Sequence, residues 1–147
     1  MTVTALKTVT TRLRLVVLLA EAMMVLAAAA FTVAFVPFRR TAAFACRTPT
    51  RACAVEAERT RRIGAVRWAV SAGARRAPWR AMCFEKGLAA QWMLRRRGVA
   101  ATLHYGIAKR PDGLAAHVWV LAGETEVVGC EIRDQYAELA RFPADDR

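Results

Sequence analysis

A chain of 147 residues makes one domain, or one domain with a helical appendage, and at that length folding buries about two-thirds of the unfolded surface. The composition is 56% hydrophobic and Ala-rich, and 23 basic residues against 12 acidic ones give a net charge of +11, a balance that favours acidic partners, nucleic acid or an anionic membrane surface. Glycine-rich phosphate loops, aromatic–basic interleaving and zinc-finger spacing are all absent, so nucleic-acid binding is not expected and the arginines read first as solvated helix faces.

The first element is the apolar stretch 13–38, LRLVVLLAEAMMVLAAAAFTVAFVPF, in which Glu21 is the one charge after Arg14. Its length is enough to cross a bilayer, although basic residues lie at both ends (Arg12, Arg14, then Arg39, Arg40) and set no orientation. It is long for a signal peptide and lacks a small-residue cleavage site. The reading preferred over a span is an apolar helix that packs on the domain or on a partner and stops at Pro37, because an ionisable group inside a span is costly. Residues 39–52, with Thr48-Pro49-Thr50, read as a connection, so the chain divides into an N-terminal apolar helical segment and linker, 1–52, and a core, 53–147.

A helix is predicted from Ala54 to Ala72, with Val55, Ile63, Val66, Ala69 and Val70 as its apolar stripe and Gly73 and Pro78 closing it. The next stretch, PWRAMCFEKGLAAQWMLRRRG, is a helix with marked ends: Pro78 stands just ahead, Gly98 takes the C-terminal glycine position, and Arg95, Arg96 and Arg97 complement the dipole in a solvated last turn. Gly87 in its middle implies close approach of a neighbouring strand. After Gly98 the apolar period becomes two. One strand runs through Val99–Ile107, KRPDG forms a turn, a second strand covers Ala115–Ala122, and a third covers Glu126–Glu131. A short closing helix is predicted over Asp134–Arg141, ended by Pro143. The fold class is α+β: a cysteine-bearing helix packed on an antiparallel sheet, with apolar helices at the N-terminus.

Of the four cysteines (Cys46, Cys53, Cys83, Cys130) none falls in a disulfide framework or a structural zinc pair, so a reduced, cytoplasmic chain without metal or other cofactor is expected. Cys83 falls in the first turn of its helix, where the partial positive charge of the N-terminus and nearby Arg80 favour the nucleophilic thiolate. His117 lies mid-strand in AAHVWVLAG, where a polar ring has no packing purpose and needs a partner. Together they form a nucleophile–base pair. An acid to orient His117 depends on the hairpin: a three-residue loop pairs Ala122 with Glu126 and sets Glu131 opposite His117, whereas a two-residue loop sets Cys130 there. Glu131 is preferred, with Glu126 and Asp134 as alternatives. Trp79 and Trp119 are candidate substrate contacts, Trp119 because it shares a strand face with His117, and His104 reads as a partly exposed strand residue.

With those residues placed, PWRAMCFEKGLAAQWMLRRRGVAATLHYGIAK, AAHVWVLAG, VVGCEI…YAELARFP and the leading LLAEAMMVLAAAAFTVAFVPFRR resemble the leader peptidases of lasso-peptide biosynthesis, B-type proteins with a transglutaminase-like cysteine peptidase fold. The resemblance spans about residues 13–143. It implies removal of the leader from a ribosomally made precursor, with Cys83 as nucleophile and His117 as general base, before an asparagine-synthetase-like cyclase closes the macrolactam. It also implies a separate small leader-recognition protein acting in trans. Phe84, Glu85 and Lys86 after the nucleophile depart from the family's usual apolar and small run. The competing expectations are a non-catalytic peptide-binding scaffold on the same fold, a small membrane-anchored protein, and acyl transfer to an amine. Peripheral membrane contact through residues 13–38 stays open.

Overall fold

An Ala- and Leu-rich run without internal Gly or Pro propagates helix well beyond the apolar stretch itself. The computed structural model, which describes residues 3–49 and 51–144 and side chains from residue 11 onward, shows a single helix α1 (Val3–Phe35). Pro37 then starts a second helix rather than a connection: α2 (Phe38–Ala45) buries Thr41 and Ala45 and sets Phe44 edge-on to Trp92, ring centroids 5.1 Å apart. Helix α3 (Glu56–Arg76) extends past Gly73 and stops just before Ala77 and Pro78, with Glu56 and Glu58 in its first turn and Arg75 and Arg76 in its last, the order that suits the helix dipole. Gly73 is therefore not a terminator. It lets α1 cross closely, since a side chain there would meet Leu26 Cδ1 at 3.0 Å.

Helix α4 (Cys83–Arg96) begins where Glu85 accepts a hydrogen bond from the Met82 amide at 3.1 Å, half of a capping box. It ends in a Schellman arrangement: Gly98 stands at φ 73°, its amide donates to Arg95 O, and the Val99 amide donates to Leu94 O, both at 3.0 Å. The mid-helix glycine has the use its position implied, because a Cβ on Gly87 would lie 2.7 Å from Val118 Cγ1 and 3.3 Å from Leu103 Cδ1.

The sheet consists, among the described residues, of β1 (Thr102–Arg110), β2 (Gly113–Ala122), β3 (Thr125–Val128) and β4 (Ala137–Phe142), all pairings antiparallel, in the order β3-β2-β1-β4. Leu103, Val118 and Val120 face α4 and join Val66, Val70, Leu88, Met93 and Leu94 in the core. Two expected elements differ. The third strand stops at Val128 instead of reaching Glu131, and a 3-10 helix (Cys130–Gln135) follows. The predicted closing helix is strand β4: its Ala- and Glu-containing sequence favours helix locally, but pairing with the open edge of β1 prevails. That strand also buries His104, which is 7% exposed rather than partly open, and gives its Nδ1 a carboxylate, Glu138 Oε2 at 2.9 Å.

The arginine run at the end of α4 is a fastener, not a solvated tail. Arg97 Nη2 contacts Glu21 Oε2 at 2.5 Å, Arg96 reaches Glu21 Oε1 at 3.4 Å, and Arg95 donates to Phe44 O at 2.9 Å. The hydrogen bond from Arg97 chiefly lowers the Glu21 carboxyl below its ordinary 4.5; burial opposes this, and the charges of Arg97 and Arg96 assist. A carboxyl held low stabilises the fold fully above pH 4.5 and loses that contribution as pH falls through the lowered value. Glu21→Gln is accordingly expected to cost about 1–3 kcal/mol near neutrality. Thermal unfolding measured against pH should show that gap closing below pH 4.5; a gap that persists in acid would rule out the ion pair as its source.

Candidate active site

The first turn of α4 presents its thiol and its free amides together. The first intrahelical bond there runs from Lys86 N to Met82 O, at 3.1 Å, and the Met82 amide is taken by Glu85. The amides of Cys83 and Phe84 therefore have no helical acceptor at the helix mouth, while the Glu85 amide faces the Met82 side chain. A cavity of about 290 Å³ opens here. Cys83, Phe84, Tyr105, His117 and Val118 line it, together with Val33, Phe38 and Thr41 from the two N-terminal helices and Val36 from the turn between them. Its wall is mostly apolar, with the Cys83 thiol, the Tyr105 and His117 rings and Thr41 among the polar-bearing residues, and Thr41 Oγ1 is buried without a hydrogen-bond partner.

His117 pairs with Gly106 across β1–β2, and strand alternation places it with Trp119, on the face opposite Val118 and Val120. It nevertheless reaches the mouth of α4, because β3 has ended before this level and leaves β2 as a sheet edge. Around that edge the ring borders both the cavity shared with Cys83 and a hollow of about 460 Å³ shared with Lys86, Ala81, Gly129 and Glu131. His117 Nε2 stands 2.7 Å from Gly129 O. A carbonyl only accepts, so Nε2 carries the proton and Nδ1 keeps the lone pair of the neutral ring. The ring nitrogen left with a lone pair is therefore Nδ1. No hydrogen bond joins the ring to Cys83; the two residues share the cavity wall. Trp119 at 6.3 Å and Tyr136 at 5.0 Å between ring centroids hold the imidazole from two sides.

The expected orienting acid is placed differently from the strand reading. The hairpin has the two-residue loop, pairing Ala122 with Thr125, and a bulge then resets the pairing to Val120 with Val128. That bulge restores the register in which 131 would oppose 117, but Gly129 turns the chain away first, at φ 73°. Glu131 is exposed in the 3-10 helix, a neighbour of His117 across the hollow and not its hydrogen-bond partner. The two alternatives are held elsewhere: Glu126 pairs with Arg133 at 3.3 Å, and Asp134 with the same arginine at 3.7 Å. The structure puts the Gly129 carbonyl where a carboxylate was sought. A glycine interrupting the apolar run VVGCEI was the available signal of a turn. The tryptophans are not on the cavity wall either. Trp119 is 5% exposed, stacked between the rings of His104 (5.5 Å) and His117, and Trp79 packs against the core. Val33, Val36, Phe38 and Thr41 were not expected at the site, since nothing in their local pattern shows where α1 ends relative to α4.

The other thiols lie outside this cavity. Burial chiefly pushes the Cys130 thiol above its ordinary range, and its Sγ lies 3.5 Å from the carbonyls of Val120 and Val128. Cys46 is exposed, and Cys53 is half-buried with its sulfur on Val55 O at 3.7 Å.

A thiol in the first turn of a helix, free amides beside it, and an imidazole brought to the same cavity by an antiparallel sheet define an α+β protein of the papain-like kind. A sequence profile of the transglutaminase-like superfamily matches residues 23–141, and the chain belongs to that superfamily. The superfamily includes cysteine peptidases and commonly has cysteine-dependent hydrolase or transferase activity. No match was found among curated proteins or among solved structures.

Proposed function

We propose that this protein is a cysteine endopeptidase that removes the leader from a ribosomally synthesised lasso-peptide precursor. The observation that carries the reading is the shared cavity: Cys83 at the helix mouth and His117 at the sheet edge border one apolar recess in a transglutaminase-like chain. The sequence blocks around both residues, and the Pro-Phe-Arg-Arg end of the apolar segment, resemble the lasso leader peptidases. His117 Nδ1 takes the Cys83 proton, and the thiolate attacks the carbonyl carbon at the leader–core junction. The oxyanion forms against the amides of the first turn of α4. Collapse breaks the C–N bond, with the imidazolium protonating the departing amine of the core peptide. His117 then deprotonates water, which attacks the thioester, and the leader leaves as a carboxylic acid while the proton returns to sulfur. Leader affinity comes largely from a separate recognition protein, and the freed amine passes to an asparagine-synthetase-like cyclase.

The test is cleavage of a precursor in ¹⁸O-labelled water with the recognition protein present, read by mass spectrometry. Hydrolysis is expected to place one labelled oxygen in the leader's new carboxyl group and none in the core. An unlabelled leader joined to an added amine would replace the peptidase reading with acyl transfer.

A further inference from the structure

Helix α1 is apolar on both sides but partnered on one. Ala22, Leu26 and Ala29 are fully buried, and the helix packs on α3 and α4. The acid of the segment, Glu21, is turned to the same side by Arg97 and Arg96. The opposite side carries Leu13, Val17, Met24 and Phe31, 62%, 59%, 68% and 62% exposed, at spacings of four and seven, with exposed Ala20 and Ala27 between them. That spacing makes one continuous apolar stripe along the helix.

Charge selects among the occupants. Arg12 and Arg14 are exposed at one end of the stripe and Arg39 and Arg40 beyond the other, on a chain of net charge +11. Two copies meeting through this face would bring like charges together, whereas an anionic lipid surface offers acyl chains to the stripe and phosphates to the arginines. The apolar run Thr11–Phe35, 25 residues, is long enough to cross a bilayer. Crossing would strip Ala22, Leu26 and Ala29 from the core and expose Glu21 and Arg97 to hydrocarbon, a costly exchange. Lying flat costs neither contact. The buried side of α1, not the stripe, leads to the candidate site: Val33, one turn beyond Ala29, lines the cavity with Phe38 of α2.

We propose that α1 seats the protein in the plane of an anionic membrane surface, its Leu13–Phe31 stripe in the acyl boundary, without spanning the bilayer. This does not depend on which reaction Cys83 performs. The experiment is flotation of the full chain with vesicles of phosphatidylcholine containing about one-third phosphatidylglycerol, against phosphatidylcholine alone. Expected results are strong partition to the anionic vesicles, at least about tenfold weaker partition for Val17→Glu/Met24→Glu, weakening with added salt, and release by alkaline carbonate. Both substitutions sit at exposed positions, and an unchanged circular dichroism spectrum confirms their fold. Failure to float, flotation untouched by the double variant, or resistance to carbonate would overturn the proposal. So would a vesicle-free dimer dissolved by the same variant, which would give the stripe to a second copy.

Discussion

Cys83→Ala is expected to reduce leader cleavage by about 10³-fold or more, since no other group on the cavity wall can form the thioester. Cys46→Ser, an exposed change away from the cavity, should leave the rate within about twofold. His117→Ala should lose about 10²- to 10⁴-fold through the missing proton transfer. Single-turnover assays with precursor and recognition protein measure all three. The fold gives reason to expect Cys83→Ala to unfold nothing, because the residue is half-buried at a helix start and alanine suits a helix. If both variants keep wild-type cleavage, the Cys83–His117 peptidase mechanism is wrong. Cys83→Ala is the more decisive, since solvent base can partly replace a lost imidazole and nothing in solution replaces the sulfur.

The cysteine helix and the central strands were legible because their signals are local. Pro78 and Gly98 bracket α4, Gly87 reports the close approach of Val118, and alternation reveals β1 and β2 to within a few residues. Elements decided by partners were not legible. β4 has the composition of a helix and is a strand because β1 has an open edge. Phe38–Ala45 resembles a linker until Phe44 finds Trp92 and Arg95. Arg97 looked solvated because its acid, Glu21, lies far away in sequence.

The same division runs through the site. Cys83 stood out by its place in a helix and His117 by its incongruity in a strand, and the structure brings both to one cavity. The partner of His117 Nε2 could not be read, because it hangs on a hairpin register altered by a bulge and on a backbone carbonyl that carries no residue signature. Glu131 was sought as a strand neighbour. The chain turns two residues too early for that, and its turn supplies the acceptor instead.

Gly129→Ala follows from that turn and should damage fold and activity separately. The residue sits at φ 73° and ψ 11°, the left-handed region that disfavours an L side chain. A Cβ would also overlap the Val118 carbonyl oxygen and press on Trp119 Cα at 3.3 Å, both backbone atoms with little freedom to retreat. Conformation contributes about 1–2 kcal/mol and crowding about 1–3 kcal/mol, so a loss of about 2–5 kcal/mol is expected in denaturant unfolding. Gly113→Ala provides the comparison: φ is 130°, no atom lies within 4 Å of its Cβ, and backbone strain is its whole cost. Activity separates the two further. Relieving the overlap must move the Gly129 carbonyl or the strand that carries His117, and either breaks the Nε2–O contact of 2.7 Å that leaves Nδ1 as the base. At a temperature where both variants are fully folded, Gly129→Ala should lower kcat at least about tenfold and alter its pH profile, while Gly113→Ala keeps both. Equal kcat and equal profiles in the two folded variants would remove the Gly129 carbonyl from the catalytic arrangement and return the orienting role to a side chain such as Glu131 across the hollow.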